Sequence, residues 1–171
     1  MAKGLFVDTS VCIGCRACTV ACKEWNQLKM DKPRWTGTYQ NLPSMTANTW
    51  RLVKFIERPN GTGPPRWLLM SDSCKHCTQA SCLQVCPTGA LYRTAFGAVN
   101  LDQGKCNGCG YCVAACPYGA VWLNKDTGRA NKCTLCTDRV VNGLIPACAK
   151  ACPTGSIQFG DVDQLMERAR R

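Results

Sequence analysis

Sixteen cysteines in 171 residues constrain this chain more than any other feature, because every one of them falls into a regular run. The first run is Cys12, Cys15, Cys18 and Cys22, spaced C-x2-C-x2-C-x3-C. The second is Cys74, Cys77, Cys82 and Cys86, spaced C-x2-C-x4-C-x3-C-P. The third is Cys106, Cys109, Cys112 and Cys116, spaced C-x2-C-x2-C-x3-C-P, and the fourth is Cys133, Cys136, Cys148 and Cys152, spaced C-x2-C-x11-C-x3-C-P. A chain this rich in cysteine is a disulfide scaffold or a metal carrier. Disulfides need an oxidising compartment. The start, Met1 to Asp8, has a single Lys3 and then an acid, with no long apolar run and no twin-Arg pair. A reducing, cytoplasmic setting is therefore expected, with export alongside a signal-bearing partner left open.

Metal coordination explains the spacing. Three closely spaced thiolates can wrap three corners of one iron–sulfur cubane while the intervening amides point at its sulfides. The fourth cysteine, three residues on, opens a helical turn that faces away. In the two-cluster motif of bacterial ferredoxins that fourth cysteine ligates the other cluster. Pro87, Pro117 and Pro153 fix the chain direction there, whereas Cys22 is followed by Lys23. Zinc also takes C-x2-C pairs, but it leaves the three C-x3-C-P endings unexplained. All four ligands are present in each run, so four [4Fe–4S] clusters are expected and a three-iron cluster is not. The formal charge of +10 suggests a nucleic-acid partner, but it counts every thiol as neutral. An oxidised cubane with four thiolates carries about −2, so four of them bring the holo-chain to roughly +2. No nucleic-acid role is expected. Nor is a membrane span. The longest uncharged stretch, Cys106 to Asn124, holds four cysteines among Gly, Asn and Pro and reads as a metal-binding loop.

The quartets imply an internal duplication. The second and third lie together like one contiguous two-cluster ferredoxin, and the first and fourth flank them like a second one split by the insertion. The expected fold is α+β, two nested bacterial ferredoxin-like two-cluster modules, loop-rich with short hairpins. Residues 1–35 and 125–171 would form the split outer module, 36–70 an aromatic loop and hairpin insertion, and 71–124 the inner module. Swapped ligation then groups Cys12, Cys15 and Cys18 with Cys152, and Cys133, Cys136 and Cys148 with Cys22. It also groups Cys74, Cys77 and Cys82 with Cys116, and Cys106, Cys109 and Cys112 with Cys86. Strands are expected at Leu5–Val7 and Ser156–Phe159. Trp50–Glu57 should pair with Trp67–Met70, Ala90–Arg93 with Ala98–Leu101, and Ala120–Leu123 with Arg129–Asn131. A terminal helix is expected over Asp163–Arg170 with Leu165 and Met166 facing inward, and helical turns after Cys18, Cys82, Cys112 and Cys148. The apolar core is small, so the clusters must supply much of the stability.

Several residues suggest roles that the cysteines make unnecessary. His76, the only histidine, has four thiolates in its own quartet and reads as a surface or cluster-edge residue. The five Trp read as packing and interface anchors before electron relays. Lys75, Arg16 and Lys132 sit beside ligands, either raising cluster potentials or carrying solvated charge. The cysteine-free stretch from Asn26 to Thr49 is too long for a plain connector. It reads as a docking surface or as a cover over a cluster. No phosphate-binding Gly-rich loop and no nucleophile–base pair is present, so the chain reads as non-catalytic.

Four quartets in this order resemble the iron–sulfur (beta) subunits of molybdenum and tungsten oxidoreductases, the family of formate dehydrogenase, DMSO reductase and polysulfide reductase. The lead-in Phe6-Val7-Asp8, the run Cys12-Ile13-Gly14-Cys15-Arg16-Ala17-Cys18 and Ala21-Cys22-Lys23-Glu24-Trp25 look like that group. Thr36-Gly37-Thr38-Tyr39-Gln40-Asn41 is similar to a segment of formate dehydrogenase beta subunits. The resemblance implies an electron-transfer subunit docked on a molybdenum- or tungsten-pterin catalytic subunit. Its acceptor would be a flavin subunit, a ferredoxin or another copy of this chain. It also implies nested ligation. Membrane-bound relatives often carry a C-terminal transmembrane helix, which is not seen before Arg171. The small electron-transfer subunit of tungsten aldehyde oxidoreductases is the main alternative, and a free soluble polyferredoxin is the alternative of another class. Anaerobic analysis should find about sixteen iron and about sixteen acid-labile sulfide per chain. Zinc in excess, or about eight iron, would overturn the four-cubane reading.

Overall fold

The computed structural model describes residues 1–171, and in it the two ends of the chain meet. The elements in chain order are β1 (Lys3–Val7), α1 (Ala17–Trp25), β2 (Arg51–Asn60), β3 (Gly63–Ser73), α2 (Ser81–Gln84), β4 (Leu91–Arg93) and β5 (Val99–Leu101). They continue with α3 (Tyr111–Ala114), β6 (Trp122–Leu123), β7 (Ala130–Asn131), α4 (Thr137–Val141), α5 (Ala147–Lys150), β8 (Ile157–Asp161) and α6 (Val162–Arg170). β1 pairs antiparallel with β8, from Lys3 opposite Asp161 to Val7 opposite Ile157. A 2.8 Å ion pair joins Lys3 to Asp161, and the Ser156 hydroxyl donates to the Asp8 carbonyl at 2.6 Å. α6 follows β8 directly and buries Leu165, at 7% exposure, while Met166 is 51% exposed. The expected inward face of that helix is thus one residue wide, because a nine-residue helix on a two-stranded ribbon has only one row to bury.

The remaining strands form three separate hairpins, β2–β3, β4–β5 and β6–β7, and no sheet exceeds two strands. A lone two-stranded ribbon is marginal in water, as is a helix shorter than ~12 residues. Yet α2, α3 and α5 have four residues each. α2, α3 and α5 each stop one residue short of a Cys-Pro pair, because the residue before proline is pushed out of the helical region. Lys23 replaces proline after Cys22, and there α1 runs on for nine residues. α4 has no counterpart in the sequence reading: Thr137–Val141 carries no cysteine and no apolar period.

Only 30 of the 171 residues are buried, and the apolar clusters among them are three small groups of six, four and three residues instead of one core. Ala80, Leu91, Val99, Cys112, Val121 and Ala130 make one. Cys18, Val53, Cys148 and Ile157 make the second, and Met45, Leu52 and Ala120 the third. Burial at the start of β2 does not alternate: Arg51, Leu52 and Val53 are all buried, as are Ser71, Asp72 and Ser73 opposite them. The hairpin base is therefore wedged into the protein, and only its far end is exposed.

Residues 26–49 contain no helix or strand apart from the first fraying positions after α1, but hydrogen bonds stitch the segment together. The Asp31 carboxylate accepts from the Thr46 and Thr49 hydroxyls and pairs with Lys23 at 3.3 Å. Gln40 accepts the Phe55 N–H at 2.8 Å, and Tyr39 meets Trp67 edge-on at 4.4 Å between ring centres. Met45 joins Leu52 and Ala120 in an apolar group against which Leu42, Cys74 and Cys116 pack, so the loop is tied to the body near two of the cysteines. Trp35, at 87% exposure, touches nothing of the kind. No helix is long and apolar enough to cross a membrane.

Gly108 has a left-handed backbone (φ +75°), and a β-carbon there would collide with the Gly128 carbonyl oxygen of the facing turn. Gly37 is also left-handed (φ +79°) but faces open space. Gly37→Ala should cost about 1 kcal/mol from backbone strain alone, and Gly108→Ala about 3 kcal/mol, because rigid backbone must move. Loss of cluster absorbance on anaerobic heating of the loaded protein measures both, and equal costs would contradict the packing described.

Candidate cluster-binding sites

The first C-x2-C of each quartet turns through a left-handed residue just before its second cysteine. That residue is Gly14, His76, Gly108 and Leu135 in the four runs, with φ between 48° and 75°. Glycine adopts this conformation freely, while His76 and Leu135 hold it at a cost. The turn folds main-chain N–H groups back onto the sulfur. His76 donates to Cys74 Sγ at 3.5 Å and Leu135 to Cys133 Sγ at 3.4 Å. Ala120 and Ala130 donate to Cys116 and Cys106, each at 3.4 Å. The third cysteine of each quartet then lies on a helix: Cys18 on α1, Cys82 on α2, Cys112 on α3 and Cys148 on α5.

The fourth cysteines of the second and fourth quartets open identical turns, Cys86-Pro87-Thr88-Gly89 and Cys152-Pro153-Thr154-Gly155. Thr88 and Thr154 hydroxyls lie 3.7 and 3.8 Å from the sulfurs. Burial pushes both thiols up. N–H groups at Thr88, Ala90 and Leu91 around Cys86, and at Thr154, Ser156 and Ile157 around Cys152, outweigh it and leave both below the ordinary thiol value. The repeated Cys-Pro-Thr-Gly is legible in the sequence, although only its proline enters the expectation.

Four cavities collect the sixteen cysteines. One is lined by Cys12, Cys15, Cys18 and Cys152, and a second by Cys22, Cys133, Cys136 and Cys148. A third is lined by Cys74, Cys77, Cys82 and Cys116, and a fourth by Cys86, Cys106, Cys109 and Cys112. The third is the roomiest of the four and carries Tyr118 and Pro117 on its wall. No three Cys, His, Asp or Glu side chains converge as ligands of a single metal ion. A tetrahedral zinc would need its thiolates within ~2.3 Å of one point. A donor set of four thiols spread around a void suits a polynuclear cluster.

The electrostatics suit it as well. Burial, and the neighbouring Cys133 and Cys148 thiols, push Cys22 far above the ordinary range. Burial, with neighbouring thiols adding to it, pushes Cys112 and Cys136 up to about 11. Thiols so crowded charge only when positive iron is shared among them. His76 lines the third cavity. Its Nδ1 accepts the Val99 N–H at 3.1 Å, so the proton sits on Nε2, which is buried without a protein partner. Burial, then the Lys132 charge, push His76 down to about 3. It is a neutral residue at a cavity edge, with a free donor that a cluster sulfide would satisfy.

The cations near the ligands separate into two kinds. Lys75 is bound by Asp72, which also takes Lys54 at 2.6 Å, so its charge is compensated locally. Arg16 donates to Asn41 at 3.0 Å and lies 4.6 Å over the Phe55 ring. Lys132, by contrast, is 1% exposed. Arg51, which has no sequence signal beyond its place in a strand, is also 1% exposed and lines the second cavity. Four of the Trp side chains are engaged. Trp25 donates to Asp138 at 2.7 Å beneath Arg139, Trp50 to Ala47 and Trp122 to Gly119, both at 2.8 Å, and Trp67 meets Tyr39.

Comparison with known proteins agrees with this donor set. A 4Fe-4S dicluster domain family matches residues 65–162 and another 4Fe-4S dicluster domain family residues 11–90. The nitrate-inducible formate dehydrogenase iron-sulfur subunit of Escherichia coli is 43% identical over 166 residues, 96% of this chain and 56% of the relative. The thiosulfate reductase electron transfer subunit of Salmonella typhi is 41% identical, over 92% of this chain and 74% of the relative. One subunit of the anaerobic dimethyl sulfoxide reductase of Escherichia coli is 34% identical, over 96% of this chain and 76% of the relative. The chain spans about half the length of the formate dehydrogenase relatives it matches. With sixteen cysteines and two dicluster matches, the chain belongs to the 4Fe-4S dicluster family and carries four [4Fe–4S] clusters.

Proposed function

We propose that this chain is the electron-transfer subunit of an oxidoreductase complex. It relays single electrons between a catalytic subunit of the molybdenum- or tungsten-pterin class, formate dehydrogenase-like, and a downstream acceptor. A [4Fe–4S] cluster, when bound, takes up or gives up one electron without making or breaking a bond. The chain's own contribution is to hold four of them in series. The observation that carries this reading is that each cavity is lined by three cysteines of one quartet and one of another. On that basis Cys152 completes the first site, Cys22 the second, Cys116 the third and Cys86 the fourth. The first two sites form the outer module of residues 1–35 and 125–171, and the last two the inner module of 71–124. The hairpin of the intervening insertion supplies shared walls.

The series has two ends. Cys15 of the first site and Cys109 of the fourth are exposed, while all four cysteines of the second site are buried. In between, Cys133 of the second site acts electrostatically on Cys74 of the third, and Cys82 of the third on Cys112 of the fourth. The order is therefore first, second, third, fourth, with a solvent-facing ligand at each end. Two exposed ends suit fixed partners on opposite sides, a catalytic subunit at one and a flavin subunit, ferredoxin or second copy of this chain at the other. The relatives' names cover formate, thiosulfate and dimethyl sulfoxide at 34–43% identity. A chain that stays alike across three substrates does not itself choose among them, which supports a non-catalytic role.

Two measurements test the proposal. Cys152→Ser and Cys15→Ser should perturb the same EPR-active centre, and Cys22→Ser and Cys136→Ser a different common one. Cys22→Ser acting on the Cys15 centre would refute the swap. Native anaerobic material should elute with a large pterin-containing partner in size-exclusion chromatography with light scattering. A lone monomer of ~19 kDa that never recovers a partner would favour a free polyferredoxin.

A further inference from the structure

The two largest fully buried side chains in this protein are both cations, and neither has a carboxylate partner. Arg51 donates to the Ser71 hydroxyl at 2.9 Å and the Ser73 hydroxyl at 2.7 Å. Lys132 donates to the main-chain carbonyls of Val99 and, at 2.6 Å, Cys133. Neither takes part in any ion pair, although seven other pairs form in the molecule. A buried charge with only neutral partners is among the most costly arrangements a protein can hold. Something anionic must therefore lie beside each.

Their positions say what that is. Arg51 lines the second cavity, and the Ser71 it holds lines the first, 3.3 Å from Cys18 Sγ. Cys148, Cys133, Cys18 and Cys22 are the sulfurs that act on its charge, drawn from those two sites. Lys132 donates to the carbonyl of Cys133, whose thiol lines the second cavity, and to that of Val99, which lines the third, so it sits between the two. The fourth site has no such neighbour. Between it and the third lies the apolar group of Ala80, Leu91, Val99, Cys112, Val121 and Ala130.

We propose that Arg51 and Lys132 are the internal counter-charges of the cluster series, Arg51 set between the first and second sites and Lys132 between the second and third, so that the second site, flanked by both, is the one biased most strongly towards its reduced state. This rests on the cysteine grouping proposed above. Reduction adds one electron to a site of charge about −2, taking it to about −3, with no proton taken up and no bond made or broken. A fixed positive charge in a dry interior stabilises the more negative state. Each cation lowers the energy of an added electron on both of the sites it adjoins, which offsets part of their mutual repulsion.

The test is a potentiometric titration of the cluster-loaded chain with dithionite as reductant, followed by EPR. Arg51→Gln removes the charge and keeps a donor for the serines, while Arg51→Lys keeps the charge. In Arg51→Gln the reduced-to-oxidised ratio of two of the four centres should fall about tenfold at fixed potential, or about 59 mV for a one-electron couple. The other two should hold, and Arg51→Lys should restore most of the shift. Lys132→Gln should likewise move two centres, and one centre should be common to both variants. Four centres shifting together, none shifting, or Arg51→Lys behaving like Arg51→Gln would overturn the proposal. If the neutral variants fail to hold about sixteen iron, Arg51→Lys must hold them, and equal loss in both would overturn it too. The serine variants at Cys15 and Cys152 check the grouping separately. If they mark different centres the grouping fails, while the number of centres moved by Arg51→Gln still decides the counter-charge role.

Discussion

Four anionic groups must be buried in a chain whose apolar core is too small to fold around nothing. That constraint shapes almost every local feature. The ordinary sources of stability are thin: two-stranded ribbons, four-residue helices and apolar groups of six, four and three buried residues. Conformational entropy of ~1–2 kcal/mol per ordered residue opposes folding, and burial on this scale cannot offset it alone. Metal–thiolate bonding supplies the difference, as in small metal-dependent domains whose binding energy is folding energy. The buried thiols point the same way. Burial pushes the Cys22, Cys112 and Cys136 thiols up, and the other thiols of their cavities add to it, so each is held neutral until a positive metal centre offsets the cost of charging it.

The solution is assembled from two repeated devices. A C-x2-C turn with one left-handed residue aims N–H groups at sulfur, and a helical turn presents the next thiol. Where proline follows the fourth cysteine the chain leaves the helix and crosses to the neighbouring cavity. At Cys22 the helix continues instead, and the crossing is made by the helix itself, since α1 carries Cys18 on the first cavity and Cys22 on the second. This explains how the sequence dispenses with proline at that one place. The continued helix delivers Lys23 to Asp31, and so anchors the long loop whose Met45 belongs to the same apolar group as Ala120 of the third cavity.

Much of this is readable without coordinates because ligand spacing and turn chemistry are local. The strands at both ends, the three hairpins and the helical turns all follow from the sequence to within a few residues. What escapes it is what depends on contacts distant along the chain. Arg51 begins a strand and carries no motif, and its burial follows only from Ser71 and Ser73 facing it across the hairpin. Lys132 stands out for its place beside Cys133, but one residue of separation cannot distinguish a solvated lysine from an enclosed one. The Asp31 network joins residues up to 18 apart through hydroxyls, which leave no periodic trace. α4 lies in the eleven-residue gap between Cys136 and Cys148, where spacing is free of ligand constraint.

Charge is distributed by function as well as by solubility. The formal +10 could have been spread over the surface, where each Lys or Arg is screened within about 8 Å at physiological ionic strength. Most of it is, as at Lys29, Lys105 and Arg171, whose ion pairs are exposed. Surface charge of that kind acts on all four sites weakly and alike, so it cannot set one apart from another. Arg51 and Lys132 act from inside, where screening is slight and the nearest sites dominate. The fold thereby makes its four cavities unequal: a first with Cys15 exposed, a second with every cysteine buried and Arg51 on its wall, a third with a neutral histidine on its wall, and a fourth with Cys109 exposed and an apolar group beside it. Four identical clusters in identical surroundings would have no preferred order of filling. Unequal surroundings, built from side chains that never touch iron, are what give such a series a direction.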